Sequence, residues 1–407
     1  AKGAIVVVPF RRKKIVGIVE DVSDETSVDE RKLKTIESVF NLDPLPACYF
    51  SFCQFVARHY CARFGQVLFL GLPLAVRRVN FSQRFSETVF SLSEKGHREI
   101  PDSVSPRSFG KKKLFELFQV EKSITFSEAR SVYSTARAEL ARWLDEGWIT
   151  VGQRNQNYEF TPTRASTHNQ KDEIVIELTV PQRAAVETIA DNLDAHQVWL
   201  LQGVTGSGKT EVYFQVMAKT LRLGLQIMVL VPEINLTPQF ESRLRARFPE
   251  HQIVTLNSSM SDRERLQAWM LARSGVASIV LGTRLAIFAS LPKLGLIVVD
   301  EEHDLSYKQV EGVRYNARDL AIYMASENNV PIILGSATPS LETYFNFLEG
   351  KYKRVVLNER PHGPSPEIQL ISVDRAFART IAPEILKSMG ACLGRGEQVL
   401  VFLNRRG

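Results

Sequence analysis

The chain has little cysteine, no apolar run long enough to cross a bilayer, and no internal repeat or low-complexity tract. It holds four cysteines, no two of which form a C-x-x-C pair: Cys48, Cys53, Cys61 and Cys392. This spacing argues against a disulfide framework or a zinc site within the stretch, and it suits a reducing cytoplasm. The first residues show no signal-peptide pattern. The sequence therefore predicts a globular protein rather than a membrane or disulfide-stapled one.

The length and the distribution of charge predict several domains and a polyanionic partner. A chain of 407 residues is too long for one core, so two to four domains are expected. Residues 1–170 hold 25 Lys and Arg against 19 Asp and Glu, whereas the remainder hold 26 against 26. A cationic excess confined to one half suggests contact with nucleic acid, although a solvated basic face gives the same composition.

Both ends of the chain suggest a piece of a longer protein. The first residue is Ala, and residues 6–10 already have the pattern of a strand. Residues 398–404 form an aliphatic run that predicts a buried parallel strand. Such a strand needs covering elements on both faces, and none follows in the sequence. We therefore expect a fragment.

The most informative stretch is Gly203-Val-Thr-Gly-Ser-Gly-Lys-Thr210. It lies between an apolar, strand-like run at residues 198–201 and a helix-like run at residues 211–218. In that context the pattern predicts a phosphate-binding loop rather than an ordinary glycine turn. Lys209 would reach the β- and γ-phosphates, and the Thr210 hydroxyl would ligate Mg²⁺. The chain is therefore predicted to bind a nucleoside triphosphate.

A second strand-like run, residues 297–299, ends in the acids Asp300 and Glu301. Acids in this position are often solvated turn residues. Downstream of a phosphate-binding loop, however, Asp300 is suited to Mg²⁺, partly through water, and Glu301 to orienting the attacking water. The predicted catalytic residues are Lys209, Asp300 and Glu301, and the predicted metal ligands are Thr210 and Asp300.

Other strand ends carry residues that could couple nucleotide to a bound strand. Ser336 and Thr338 follow an aliphatic run and could relay between the two sites; His303 joins them in the predicted coupling set. A structural turn is the alternative for the hydroxyl residues. Gln182 opens a helix before the phosphate loop and could read the adenine edge, although a plain helix-start glutamine is the alternative. The residues predicted to bind ATP are Gly203, Val204, Thr205, Gly206, Ser207, Gly208, Lys209, Thr210 and Gln182.

Two stretches have the composition of a nucleic-acid contact. After the run at residues 278–281, Thr283 and Arg284 are placed to hold a backbone phosphate. Residues 306–318 interleave aromatic and cationic side chains, which favours base stacking and phosphate contact on a single strand. The predicted DNA-binding residues are Thr283, Arg284, Tyr307, Lys308, Arg314 and Tyr315.

The changing sequence texture predicts a multidomain α/β protein. Residues 1–79 indicate a small α+β domain. Residues 80–165 contain three helical patterns followed by two strand-like runs, at 148–151 and 158–160, which predict a winged-helix domain or, alternatively, a helical spacer with a hairpin. Residues 173–357 alternate strand and helix, as a covered parallel sheet requires. A Pro-rich hinge then precedes a second, truncated α/β unit at 366–407.

Together, the phosphate loop, Asp-Glu-Glu-His at 300–303, Gly-Ser-Ala-Thr at 335–338 and Asn-Arg-Arg-Gly at 404–407 resemble the superfamily 2 DNA helicases, and in particular the replication-restart helicases. The resemblance covers essentially the whole chain and is looser over residues 1–170. It implies a domain that binds the 3′ end of a nascent leading strand at 1–79, a winged-helix domain at 80–165, a RecA-like, ATP-binding helicase lobe at 173–357, and the start of a second lobe at 366–407. It also implies a 3′→5′ ATP-dependent DNA helicase that restarts replication at abandoned forks.

The same resemblance implies ATP and Mg²⁺ as cofactors, and zinc only beyond Gly407. Its implied partners are forked and single-stranded DNA, single-strand binding protein and primosome loader proteins, in the cytoplasm at the bacterial nucleoid. Because the start of the first domain and most of the second lobe are missing, we expect residues 1–407 alone to hydrolyse ATP poorly and not to unwind DNA.

Three other functions stay open at this point. One is another superfamily 2 translocase, such as a fork-remodelling enzyme. A second is a nucleotide switch or kinase-like protein, against which the acids at 300–302 and the aromatic, cationic segment argue. A third is a DNA-binding scaffold, against which Lys209, Thr210, Asp300 and Glu301 argue.

Overall fold

The computed structural model describes residues 1–81, 86–104, 108–155, 177–233, 238–358, 367–372 and 381–402. It divides into two units, Ala1–Pro361 and His362–Gly407. Among the helices of the described residues, none combines the length and the apolar content that a membrane span needs.

The first 81 residues form a small antiparallel sheet and two helices. The sheet has the order β2-β1-β3. Its strands and the helices that follow are β1 (Ile5–Phe10), β2 (Lys13–Ile18), β3 (Ser38–Val39), α1 (Ala47–His59) and α2 (Phe64–Leu70). The strands expected at residues 5–8 and 15–19 are therefore present, and so is the aromatic helix expected after residue 48.

The middle of the first unit has its own antiparallel sheet, in the order β5-β4-β6, and its own core. The elements in chain order are β4 (Ser86–Leu92), α3 (Glu94–Ser103), α4 (Phe109–Val120), β5 (Ile124–Thr125), α5 (Phe126–Val132), α6 (Ala136–Asp145) and β6 (Ile149–Asn155). The strand expected at 148–151 is part of β6, but it pairs with β4. Its expected partner, 158–160, and the linker at 161–172 lie outside the described residues.

A seven-stranded sheet, parallel throughout, follows, with the order β13-β7-β12-β11-β8-β10-β9. Its strands are β7 (Val198–Gly203), β8 (Gln226–Leu230), β9 (Ile253–Leu256), β10 (Ile279–Gly282), β11 (Leu294–Val299), β12 (Ile332–Ser336) and β13 (Lys353–Leu357). The six strands expected from aliphatic runs are all present. Because the strands are parallel, the loops that follow β7, β11 and β12 meet at one edge.

Both faces of this sheet are covered, so its strands are apolar on both sides. Successive residues of β8 show the alternation: Ile227 and Val229 enter one core, and Met228 and Leu230 enter the other. The second core also contains the apolar residues of β1, α1 and α2. The helices of this part are α7 (Val180–Ala190), α8 (Lys209–Arg222), α9 (Pro238–Arg247), α10 (Asp262–Arg273), α11 (Ala317–Glu327) and α12 (Leu341–Leu348).

The second unit has one helix among its described residues, α13 (Pro383–Gly394), and that helix buries no side chain. The strand expected at 398–404 is wrong for residues 398–402, which are irregular, and residues 403–404 lie outside the described residues. A strand is held by hydrogen bonds to a neighbouring strand. Residues 367–372 and 381–402 contain no strand that could pair with this one.

Candidate nucleotide and nucleic-acid site

The predicted phosphate loop joins β7 directly to α8. Gly206 and Gly208 have φ angles of 80° and 84°, in the left-handed region that glycine adopts without a side-chain clash. A Cβ added at Gly203 would lie 2.4 Å from the Ser207 hydroxyl oxygen, so this position requires glycine. Left-handed glycines at the N-terminus of a 14-residue helix form the backbone arrangement that binds phosphate.

Lys209 lies inside this loop and is only 8% exposed. Its ammonium donates a hydrogen bond to the Gly203 carbonyl at 2.9 Å, and its Nζ atom lies 4.0 Å from Oε1 of Glu301. The predicted phosphate-binding cation and the predicted water-orienting acid are therefore neighbours, although 92 residues separate them in the chain.

The remaining loop residues differ in exposure. Val204 and Thr205 are exposed at the tip of the loop, and Thr210 is half-buried on the first turn of α8. Ser207 is buried, and its hydroxyl oxygen has no hydrogen-bond partner in the described part of the chain. A buried hydroxyl without a partner next to a phosphate-type loop fits a group that hydrogen-bonds to a bound anion.

Asp300 follows β11 and is held by a residue that the sequence reasoning did not assign, Tyr213. The Tyr213 hydroxyl donates a hydrogen bond to Oδ1 of Asp300 at 3.0 Å. Burial, and then the nearby carboxylate of Glu301, raise the pKa of Asp300, whereas the Tyr213 hydrogen bond lowers it. Tyr213 therefore favours the carboxylate form that a cation needs. Its place one turn after Thr210 on α8 was the only sequence signal.

Glu301 occupies the turn that ends β11. Its φ angle is 44°, in the left-handed region that residues with a Cβ seldom adopt. Its side chain is 30% exposed, and its Oε2 lies 3.6 Å from Nδ1 of His303. The turn thus directs a partly exposed carboxylate toward the phosphate loop, at a backbone geometry that is often found at active sites.

The three predicted coupling residues are brought together at the ends of β11 and β12. Nδ1 of His303 lies 2.8 Å from the Ser336 hydroxyl oxygen, and Nε2 lies 3.5 Å from Oγ1 of Thr338. The Thr338 amide donates to the same Ser336 oxygen at 3.0 Å. Because His303 also faces Glu301, this cluster connects the acids with the loop after β12.

Gln182 does not have the free side chain that reading an adenine edge requires. Its Oε1 accepts a hydrogen bond from the Thr179 amide in a capping box at the start of α7. Its Nε2 donates to the Ser207 carbonyl at 2.9 Å. The adenine-reading interpretation is therefore corrected for this structure: the amide is occupied by a helix cap and by the phosphate loop.

Thr283 and Arg284 follow β10 as expected, but neither is a free phosphate ligand. Thr283 is buried. The Arg284 guanidinium lies 3.2 Å from Oε1 of Glu233 and donates to the Ser306 carbonyl at 3.1 Å. In this structure Arg284 therefore connects the loop after β10 with the start of the aromatic, cationic segment. We call residues 306–318 the coupling loop.

The interpretation that Tyr307 and Tyr315 stack on bases is wrong, because both rings are buried in the core. The Tyr307 hydroxyl lies 2.6 Å from the Asp300 carbonyl oxygen and 3.0 Å from that of Leu230. The Tyr315 ring meets the Phe288 ring edge-on, with centroids 5.1 Å apart. These tyrosines anchor the coupling loop to the sheet rather than present it to nucleic acid.

The cations of the coupling loop remain outside. Lys308 and Arg314 are both exposed, and the Lys308 ammonium donates to the Arg314 carbonyl at 2.6 Å. This contact places the two predicted phosphate contacts on neighbouring parts of one surface. The aromatic residues of the loop thus hold it, and its cations face solvent.

A buried polar network centred on Glu302 was also missed. The Glu302 carboxylate accepts hydrogen bonds from the Arg318 guanidinium (3.0 Å), the Ser340 amide (2.7 Å) and the Thr343 hydroxyl (2.9 Å). It therefore joins the acids after β11 to the starts of α11 and α12. The available signal was the third acid in the run at 300–302, which the sequence reasoning left without a role.

Comparison with known families is consistent with these two regions. Residues 179–347 match the DEAD/DEAH box helicase family, and residues 1–73 match the 3′ DNA-binding domain of the PriA type. The chain thus carries a DEAD/DEAH box helicase domain. The seven-stranded parallel sheet with covering helices is consistent with a RecA-like helicase lobe.

Curated relatives extend the similarity over the whole chain. The chain is 36% identical to replication restart protein PriA of Haemophilus influenzae and 32% identical to that of Chlamydia muridarum; each comparison covers 100% of this chain and 55% of the relative. It is 41% identical to PriA of Bacillus subtilis over 56% of this chain and 29% of the relative. The chain spans about half the length of the relatives that it matches throughout. The resemblance stated from the sequence is confirmed: the chain corresponds to the N-terminal and helicase portion of PriA.

Proposed function

We propose that the chain is the N-terminal and first-lobe portion of an ATP-dependent 3′→5′ DNA helicase that acts at stalled or abandoned replication forks and supports primosome assembly. One observation carries this proposal. A segment matching a 3′ DNA-binding domain shares a hydrophobic core with a lobe that holds a phosphate loop and two acids. A fork-remodelling translocase of the same superfamily is the second candidate, and the match at residues 1–73 disfavours it.

The chemistry of the proposed nucleotide site follows from its side chains. The left-handed glycines and the unpartnered Ser207 hydroxyl fit ATP phosphates, and the Thr210 hydroxyl with the Asp300 carboxylate fits Mg²⁺, which accepts few protein oxygens. When bound, Mg²⁺-ATP supplies an electrophilic phosphorus and the charge that neutralises its oxygens. Lys209 would exchange its bond to the Gly203 carbonyl for a phosphate oxygen, and the Glu301 carboxylate would orient the attacking water.

DNA would reach this chemistry through the coupling loop. Lys308 and Arg314 would hold backbone phosphates, while the buried tyrosines fix the loop against the strand end that carries Asp300. His303, Ser336 and Thr338 would transmit the same state from the loop after β12 to Glu301. The proposal thus assigns phosphate contact to cations and coupling to buried groups.

The domain arrangement and partners are also proposed. Residues 1–79 would bind a nascent 3′ end, residues 80–165 would form a winged-helix domain, residues 173–357 would be the ATP-binding lobe, and residues 366–407 would begin a second lobe. Three helices packed on a three-stranded antiparallel sheet support the winged-helix assignment. Forked and single-stranded DNA, single-strand binding protein and primosome loaders at the bacterial nucleoid would be the partners.

Fluorescence anisotropy on forked DNA tests the proposal. The chain is titrated against labelled forks, with and without a leading strand whose 3′ end reaches the branch, at one fixed salt concentration. Tighter binding when the 3′ end is present supports the restart function and places recognition in residues 1–79. Equal binding by the full-length protein would favour the second candidate.

A further inference from the structure

The first 81 residues are packed tightly against the helicase lobe through aromatic side chains of α1. The Phe55 ring lies 3.5 Å from the Tyr323 ring of α11, with only 4° between their planes. The Phe52 ring meets the Phe288 ring edge-on, with centroids 5.7 Å apart. These residues belong to one continuous core or pack directly against it. A displacement of α1 would therefore be felt at α11, because close-packed interiors transmit strain.

At the C-terminal end of α1, Tyr60 leaves this packed face and reaches the coupling loop. The Tyr60 hydroxyl oxygen accepts a hydrogen bond from the Asn316 amide at 3.1 Å. The Lys308 ammonium lies 5.2 Å from the centroid of the Tyr60 ring, within cation–π range. Lys308 and Asn316 themselves form an antiparallel bridge. One tyrosine thus contacts both sides of the loop where its two strands meet.

Asn316 connects this contact to the nucleotide site. Its side chain accepts a hydrogen bond from the Arg318 amide and caps the N-terminus of α11. The Arg318 guanidinium in turn donates to Glu302, which lies next to Glu301. An unbroken series of contacts therefore leads from Tyr60 to the acids after β11.

We propose that Tyr60 is a positioning residue through which the 3′-end-binding domain sets the conformation of the coupling loop, so that DNA bound to residues 1–79 controls the rate of ATP hydrolysis. The inference deepens the proposed function and rests on it. Tyr60 touches neither nucleotide nor DNA in this assignment. Its effect on the reaction comes from holding Asn316 and Lys308 at the point where the loop closes.

The substitution Tyr60→Phe isolates the hydrogen bond. It keeps the ring that packs on α1 and the face that attracts Lys308, but it removes the acceptor and leaves the Asn316 amide without that partner. Burial raises the pKa of Tyr60, so the hydroxyl stays protonated near neutral pH and the change removes no charge. Tyr344→Phe is the matched control, because Tyr344 lies partly exposed on α12, away from the coupling loop.

The test measures steady-state ATP hydrolysis by the full-length protein, without DNA and with forks that carry or lack a 3′ end at the branch. For Tyr60→Phe we expect the kcat stimulated by 3′-ended forks to fall roughly threefold to tenfold, the effect of one hydrogen bond. The unstimulated rate, the KM for ATP and the fork Kd should stay at the values of Tyr344→Phe. The preference for 3′-ended forks in the ATPase assay should shrink with it.

The outcomes separate this inference from the proposed function. If Tyr60→Phe is stimulated as strongly as Tyr344→Phe, with the same preference for 3′-ended forks, the positioning role is overturned and the helicase function stands. If the melting temperature and the unstimulated rate fall together with the stimulated rate, Tyr60 is structural and the inference is overturned. If the unsubstituted protein shows no DNA stimulation, the proposed function itself fails, and this inference with it.

Discussion

At the scale of single residues, the hydrogen bond from Tyr213 to Asp300 decides how readily the site can hold a cation. Asp300 is largely buried, and burial raises its pKa, whereas the phenol lowers it. A carboxylic acid loses cation affinity as the pH falls through its pKa. A residue that lowers this pKa therefore extends Mg²⁺ binding toward lower pH.

The substitution Tyr213→Phe should therefore weaken Mg²⁺ binding. Without the phenol, the pKa of Asp300 rises further, so the acidic limb of the ATPase pH profile should move to higher pH. The Mg²⁺ concentration at half-maximal rate should increase by roughly fivefold, the effect of about one hydrogen bond. Titrations of Mg²⁺ at several pH values, with Tyr344→Phe as the control, would measure both shifts. An unchanged pH limb and Mg²⁺ midpoint would show that Tyr213 does not act on Asp300.

The burial of Tyr307 and Tyr315 explains why one sequence interpretation failed at this scale. Alternation of aromatic and cationic residues indicates that one set faces inward and the other faces solvent, but it does not say which. The cations Lys308 and Arg314 are exposed and the rings are buried. Base stacking was inferred from residue types whose orientation only the tertiary structure fixes.

At the scale of elements, β12 and α8 approach each other closely at Gly335. A Cβ added to Gly335 would lie 1.5 Å from the Tyr213 hydroxyl oxygen and 2.7 Å from the ring carbon that bears it. Tyr213 is buried and has no room to withdraw. Glycine at this position therefore allows the phenol to reach Asp300.

Gly335→Ala should displace Tyr213 and so copy the Mg²⁺ defect of Tyr213→Phe. It should also destabilise the protein by about 1–3 kcal/mol, as overpacking does. Gly65→Ala is the matched control, because Gly65 is helical and no atom lies within 4 Å of its added Cβ. Chemical denaturation and Mg²⁺-dependent ATPase assays would measure the two effects. Wild-type stability together with wild-type Mg²⁺ dependence in Gly335→Ala would contradict the close approach.

The buried carboxylate of Glu302 connects three elements, since it accepts bonds from residues that begin α11 and α12 while it follows β11 itself. Glu302→Ala would leave the Arg318 guanidinium without its buried partner. The free energy of unfolding should fall by about 3–5 kcal/mol, the cost of breaking a buried pair. Glu349→Ala, at an exposed acid after α12, should change it by about 0.5 kcal/mol or less. A loss in Glu302→Ala no larger than that of the control would show that the network does not hold these elements together.

At the scale of the whole molecule, the elements were easier to predict than their contacts. The six aliphatic runs and the phosphate loop are local patterns, so each strand and the loop after β7 could be placed from sequence. The hydrogen bond between Asn316 and Tyr60 joins residues 256 positions apart, and no periodicity indicates it. The strand expected at 398–402 failed for a related reason, because a strand depends on a partner as well as on its own residues.

The shared core also changes how the chain is understood as a molecule. The first 81 residues and the parallel sheet bury their apolar side chains together, so a 3′-end-binding domain and an ATP-binding lobe form one packed body. The middle segment, by contrast, has a separate core. We therefore expect an occupied 3′ end to influence the lobe through packing as well as through DNA.

The rate of ATP hydrolysis by the full-length protein, measured with and without forked DNA for the wild type and for Glu301→Gln, tests the central claim most directly. We predict that forks stimulate the wild type, and that Glu301→Gln lowers the stimulated rate by about 100-fold or more while the fork Kd stays unchanged. A wild type that forks do not stimulate, or a Glu301→Gln variant with wild-type turnover, would contradict the claim that these acids hydrolyse ATP in response to DNA.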